Sequence, residues 1–237
     1  MLKIFNTDLH IHTCLSPCGD LDMTPKRIIN TAKSKKLDII GICDHNSAEN
    51  VLISKKIGKT FEITVIGGIE ITTSEEVHLL ALFDNDDDLL KLQELVYENL
   101  PGVNDENAFG LQLVVNENDE IVRHNQRLLI GATKLTIEKC VEAIHSLNGI
   151  AIASHIDREG FGIIGQLGFI PEGLELDAVE ISPNITKDKL TVKKFPVITG
   201  SDAHFLADIG KTWTQFSLKE PVVKEIKKAL LKTTLKI

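Results

Sequence analysis

An α/β barrel is the fold this sequence predicts, on three observations. Apolar runs of strand length, rich in Ile and Val, alternate with longer stretches of helical periodicity. Several of those runs end in His, Asp or Glu where a strand should finish. The chain's 237 residues, 43% of them hydrophobic, suit one barrel-sized domain over 1–237 with a large core. An open doubly wound sheet serves its site from a few loops, whereas a barrel brings every strand's C-terminal end to one mouth, and polar groups at many strand ends favour the closed form.

The elements follow in order. Strands are expected near 3–11, 38–43, 62–71, 77–83, 150–154, 176–182 and 196–200. A helix starts at Thr24-Pro25, with a hydroxyl at the cap and proline at the first position, and runs to about Lys36. Further helices are expected over about 48–57, 87–99, 136–148 and 220–232. The last has Val222, Val223, Ile226, Ala229 and Leu230 on its inward stripe. The stretch from about 100 to 131 breaks the alternation with polar, turn-rich segments and reads as an insertion, either covering the barrel mouth or running as a solvated connection.

Side chains at i and i+2 of a strand share a face, so Asp8, His10 and His12 are expected to converge, as are Asp202 and His204. Imidazole nitrogens and carboxylate oxygens bind Zn, Mn or Fe, and an apolar core gains nothing from burying them, which marks a metal site. The same design recurs where apolar runs deliver Asp44-His45-Asn46, Glu70 and His155. His78 instead begins its run, which calls for an antiparallel turn of the chain or a shifted boundary. Asp44 is expected to be a ligand or, better, a group orienting its neighbours, because ligating imidazoles need their second nitrogen fixed. Arg158, three residues after His155, is the candidate for gripping phosphate in a guanidinium fork. His124 and His145 fit no ligand position.

The net charge of −8 argues against broad electrostatic capture of nucleic acid. No run of about eighteen apolar residues is present, which excludes a membrane-spanning helix, and no signal peptide opens the chain, so the cytoplasm is expected. Cys14, Cys18, Cys43 and Cys140 suggest no disulfide framework and suit a reducing compartment.

Taken together, D-L-H-I-H-T at 8–13, C-D-H-N at 43–46, G-I-E at 68–70, V-H-L-L at 77–80, S-H at 154–155 and G-S-D-A-H at 200–204 resemble the PHP family, the polymerase and histidinol phosphatase superfamily. The resemblance spans residues 8 to 204 in the family's order. It implies a distorted (β/α)7 barrel with a cluster of two or three divalent ions (Mn, Fe or Zn) at its mouth. It implies the ligands His10, His12, Asp20, His45, Glu70, His78, His155, Asp202 and His204, with Glu70 a natural bridge. Pro17-Cys18-Gly19 intervenes where the family places its aspartate straight after the serine, so Asp22 stands as an alternative to Asp20. Glu180 and Asn184 resemble a supporting pair.

The implied activity is hydrolysis of a phosphomonoester, a small phosphorylated metabolite or a nucleotide, by a metal-bridging hydroxide. Arg158 would stabilise charge, and His204 or His155 would supply the leaving group's proton. Alternatives are an exonuclease on short RNA or DNA, an amidohydrolase-type enzyme, and a non-catalytic module stabilised by its metals. Glu70, where an amidohydrolase would carry a bridging lysine, favours phosphorus chemistry.

Overall fold

A computed structural model describes residues 1–182 and 194–234. Ten strands and seven helices lie among them: β1 (Lys3–Ile11), α1 (Pro25–Ser34), β2 (Ile39–Ile42), α2 (Val51–Phe61), β3 (Thr64–Thr72), β4 (His78–Phe83), α3 (Asp86–Asn99), α4 (Glu106–Phe109), β5 (Leu113–Val115), β6 (Ile121–His124), α5 (Ile137–Ser146), β7 (Ile150–Ala153), α6 (Ile163–Leu167), β8 (Ala178–Glu180), β9 (Val197–Ile198), β10 (Thr214–Leu218) and α7 (Val223–Thr234). Eight strands form one nearly closed, barrel-shaped sheet in the order β10-β1-β2-β3-β4-β7-β8-β9. At the open seam, the Thr199 amide donates to Thr214 Oγ1 at 2.8 Å.

The triads β1-β2-β3 and β7-β8-β9 are parallel, while β4 runs antiparallel to both β3 and β7. The physical reason is connection length. Residues 73–77 suffice for a hairpin, and a parallel crossover needs a dozen or more. That reversal is why His78 leads its strand and still reaches the mouth, opposite Thr72 at the end of β3.

Side-chain parity separates two cores. Ile40, Ile42, Val65, Ile69, Ile71, Leu79 and Ala81 face outward and pack with Ile28 and Ile29 of α1, Ile57 of α2, Leu89 of α3 and Ile144 of α5. Ile39, Ile66, Leu80, Leu82, Ile150 and Ile152 form a second cluster with Val223, Ile226 and Leu230, so α7 closes the barrel floor. Its first amides are capped from Asp84, which accepts from Val223 N at 2.6 Å and Lys224 N at 2.9 Å.

The insertion is docked rather than solvated. Val114 and Leu129 pack with Leu15, and Leu113 and Val115 pack with Cys14. Asp119 accepts from Thr24 Oγ1 at 2.7 Å and Lys26 N at 3.3 Å, serving the N-terminus of α1 from 95 residues away. The hairpin β5-β6 was not expected there. β10 also escaped the sequence reading, because only Phe216 and Leu218 of its five residues are buried.

Candidate metal centre

Aiming the first strand requires a β-bulge. Between Asp8 and Ile11, β1 carries one more residue than β2, so parity flips midway. Asp8 pairs with Ile40 and Ile11 with Ile42, both on the outward face. Leu9 joins the inner core, and His10 and His12 point into the mouth. The expected convergence of Asp8 with the two histidines is therefore corrected. Asp8 instead accepts from Ser201 N at 2.9 Å and Gly210 N at 3.1 Å, fastening both ends of the loop that carries Asp202 and His204. Burial outweighs those bonds and raises its carboxyl to about 6.

Each histidine of β1 is held by one nitrogen. His10 Nδ1 lies 3.0 Å from Glu180 Oε1, and His12 Nδ1 lies 2.9 Å from Ser16 Oγ. Ser16 donates to Asp44 Oδ1 at 2.8 Å, and Asp44 also accepts from Thr13 N and Thr13 Oγ1. Asp44 thus orients the segment after β1 from behind. Gly200 leaves room for the Glu180 contact, since a Cβ there would meet Glu180 Oε2 at 2.7 Å.

The remaining ring nitrogens surround Glu70. Its Oε1 lies 3.2 Å from His10 Nε2, 3.2 Å from His78 Nδ1 and 3.3 Å from His155 Nε2. Its Oε2 lies 3.4 Å from His12 Nε2 and 3.2 Å from His45 Nδ1. Asp202 Oδ1 lies 3.3 Å from His10 Nε2 and 3.2 Å from His12 Nε2. His204 stacks on His12 with centroids 4.1 Å apart, its Nδ1 on the Asp202 carbonyl at 2.9 Å. Two residues of the cluster sit at positive φ, His155 at 27° and Asp202 at 49°, where a non-glycine backbone is strained.

The donors fit divalent cations. Both oxygens of buried Glu70, Asp202 Oδ1, His45 Nδ1 and His78 Nδ1 are buried without a hydrogen-bond partner, a state that costs free energy unless something shared satisfies them. Ligands about 2.0–2.2 Å from a cation stand roughly 3.0–3.5 Å from one another in tetrahedral or octahedral geometry, which is the spacing these atoms show. Three sets with ligand atoms within 4.8 Å of one another emerge: His12, His45 and His204; His10, His12, Glu70 and Asp202; His45, Glu70 and His78. His155 joins them through Glu70.

The charged groups of the cluster shift one another. Burial works against charge on His10 and His12, yet the facing carboxylates outweigh it, raising His10 well above the usual imidazole range and His12 to about 9. Burial likewise opposes charge on Glu70 and Asp202, but the imidazoles hold both well below the carboxylate range. Burial and the neighbouring His12 drive His45 well down and His204 to about 4.

Asp20 stands apart from these sets. Its amide bonds the His204 carbonyl at 2.8 Å, but its Oδ1 accepts from its own turn at Asp22 N. Asp22 is exposed and paired with Arg27. The extra Pro17-Cys18-Gly19 bulges the loop, and Cys18 rather than Asp20 lines the cavity over the cluster. That cavity, about 190 Å³, is walled also by Ile130, Arg158 and Phe161. Arg158 Nη1 lies 2.6 Å from Asp202 Oδ2. Larger clefts of about 430 and 500 Å³ lie around Phe83 and Asp84, away from the ligand sets. His124 pairs with Glu106 and His145 with Asp177, both away from the mouth. Asn184 lies outside the described residues. Sequence reasoning missed Ser16 and Phe161. A serine four residues after His12 was a readable signal for the first, whereas nothing local marks the second.

Comparison with known proteins gives a consistent picture. The sequence matches the family model of the PHP domain over residues 8–159 and that of a PHP-associated segment over 190–235. An uncharacterized protein of Methanocaldococcus jannaschii is 36% identical over 88 residues, 34% of this chain and 51% of that protein. The lesion-specific endonuclease Q of Pyrococcus furiosus superposes with a TM-score of 0.74 at 19% identity, over 96% of this chain and 56% of that one. A Bifidobacterium adolescentis structure assigned as a metal-dependent phosphoesterase gives 0.59 at 16% identity, over 95% and 96%. The chain thus spans about half the length of the first two.

Proposed function

Because the chain belongs to the PHP domain family, we propose that it is a metal-dependent phosphoesterase that hydrolyses a phosphomonoester, a small phosphorylated metabolite or a nucleotide. On this reading His10, His12, His45, Glu70, His78, His155, Asp202 and His204 hold two or three divalent cations (Mn, Fe or Zn). The observation that carries the reading is Glu70, whose two buried oxygens make no hydrogen bond and face five imidazole nitrogens at 3.2–3.4 Å. Divalent cations bound there would supply Lewis acidity, neutralising phosphoryl charge and acidifying water.

The chain's own groups do the rest. Glu180 and Ser16 fix the rings of His10 and His12 so that one nitrogen of each faces the cluster. Arg158, half-exposed beside Asp202, reaches the cavity and offers its guanidinium to phosphoryl oxygens as negative charge builds. Burial keeps His204 neutral, which suits binding better than proton donation.

A second reading, cleavage of nucleic acid, is favoured by the likeness to endonuclease Q over nearly the whole chain. The net charge of −8 weighs against long polyanions and leaves short or terminal segments. No described helix is long and apolar enough to cross a membrane. The test is product release from mononucleotides, sugar phosphates, short oligonucleotides and a lesion-bearing duplex under Mn, Fe or Zn loading. Release of phosphate from monoesters supports the first reading. Strand scission alone would replace it with the second, and no turnover would leave a metal-binding module.

A further inference from the structure

The wall of the metal cavity holds one side chain that neither coordination nor charge explains. Phe161 is a bulky apolar residue left 41% exposed, and its backbone sits in the left-handed region at φ 61°. A non-glycine residue is strained there, so the surroundings must hold it. They do: the Phe161 carbonyl accepts from His78 N at 2.9 Å, and its ring stacks on the His78 imidazole, centroids 4.5 Å apart and 17° from parallel. The preceding Gly160 leaves open space beside it, and Ile130 and Cys18 continue the uncharged wall. Arg158 lines the same cavity.

The arrangement is asymmetric in chemistry. Arg158 and the cluster offer positive charge to a phosphoryl group, while Phe161 offers a flat face. One face of the ring is covered by His78, and the partly exposed side chain also lines the cavity. A cavity of about 190 Å³ takes a phosphoryl group and its first carbons, so the rest of the ester must extend across the rim. We propose that Phe161 is a specificity-determining residue that stacks a planar, aromatic portion of the substrate, selecting nucleoside-type or aryl phosphates over sugar and polyol phosphates. The proposal rests on the phosphoester reading for the phosphoryl end and adds the class of alcohol.

Adenosine 5′-monophosphate and ribose 5-phosphate form a matched pair of probes that differ by the base alone. On Mn-loaded wild type, Phe161→Ala and Phe161→Leu, initial rates of phosphate release give KM where turnover occurs, equilibrium dialysis gives the dissociation constant where it does not, and metal content is followed in parallel. Leu keeps apolar cover on His78 without a planar face, which separates stacking from support of the imidazole. The expected result is wild-type metal content in the Leu variant, roughly tenfold weaker nucleotide binding, at the lower end of base stacking, and ribose 5-phosphate binding changed less than twofold. Equal losses for both ligands, unchanged nucleotide binding, or no preference for the nucleotide in wild type would each overturn the proposal. If binding depends on Phe161 but no phosphate is released, the stacking site stands and the hydrolytic reading fails. If phosphate is released without that dependence, the reverse holds.

Discussion

Replacing Glu180 by Gln tests whether the metal centre depends on a group that touches no metal. Glu180 is buried at the end of β8, and its Oε1 faces both His10 Nδ1 at 3.0 Å and the His155 amide at 3.3 Å. A glutamine can keep that oxygen in place and put its amide where Oε2 stands, so shape and one acceptor survive while the charge is lost. That charge is the largest influence raising His10 against its own burial. Without it His10 is a poorer base and its ring is less firmly oriented. Loss of a carboxylate behind a ligating histidine typically lowers metal affinity 10–100-fold, about 1.4–2.7 kcal/mol. Competition with a chromophoric chelator should show that shift. Activity, where present, should return within a few fold of wild type at saturating metal, because the cluster's own donors are intact. An unchanged metal dissociation constant would refute the reasoning, as would a loss that no excess of metal repairs.

Other consequences follow from the same contacts. Asp8→Ala should leave the partly buried amides of Ser201 and Gly210 without their acceptor, cost roughly 1–3 kcal/mol in denaturant unfolding, and lower metal content, since the freed loop carries Asp202 and His204. Ser16→Ala should weaken metal binding, because it releases the His12 ring and leaves the His45 amide without its acceptor, while Thr13 still bonds Asp44; competition with a chelator checks it. Asp177 is partly desolvated, but His145, the Ala151 amide and Lys227 outweigh that and hold its carboxyl below the usual range. Its folded value lies below its unfolded one, so its contribution is present above the unfolded carboxylate pKa and is lost as pH falls through the folded value. Asp177→Asn should therefore destabilise at neutral pH by roughly 1–3 kcal/mol, with the gap from wild type closing in acid.

Much of the centre was legible because His, Asp and Glu are costly to bury at strand ends unless they bind something there. His10, His12, His45, Glu70, His78, Asp202 and His204 could be named from motif order, and the alternating pattern located β1, β2, β3, β4, β7, β8 and β9. What stayed hidden depends on register or on tertiary partners. The bulge that turns Asp8 outward adds one residue relative to β2, and no single strand announces it. Asp20 was placed by counting, and its Oδ1 accepts from Asp22 N within its own turn, a local bond that the count does not reveal. The docked hairpin of the insertion is held by Asn50 and Thr24, groups far off in sequence. Phe161 matters only because His78, 83 positions earlier, lies beneath it.

Glu70→Gln bears most directly on the central claim that a buried carboxylate gathers divalent cations for phosphoester hydrolysis. The measurement is metal content per chain by elemental analysis after loading with Mn, Fe or Zn and desalting, with phosphate release followed in the same samples. The account predicts more than one ion in wild type, a loss of ions in the variant, and phosphate release only where the ions remain. A wild type that retains no divalent ion, or a variant that keeps both full metal content and full turnover, would contradict it.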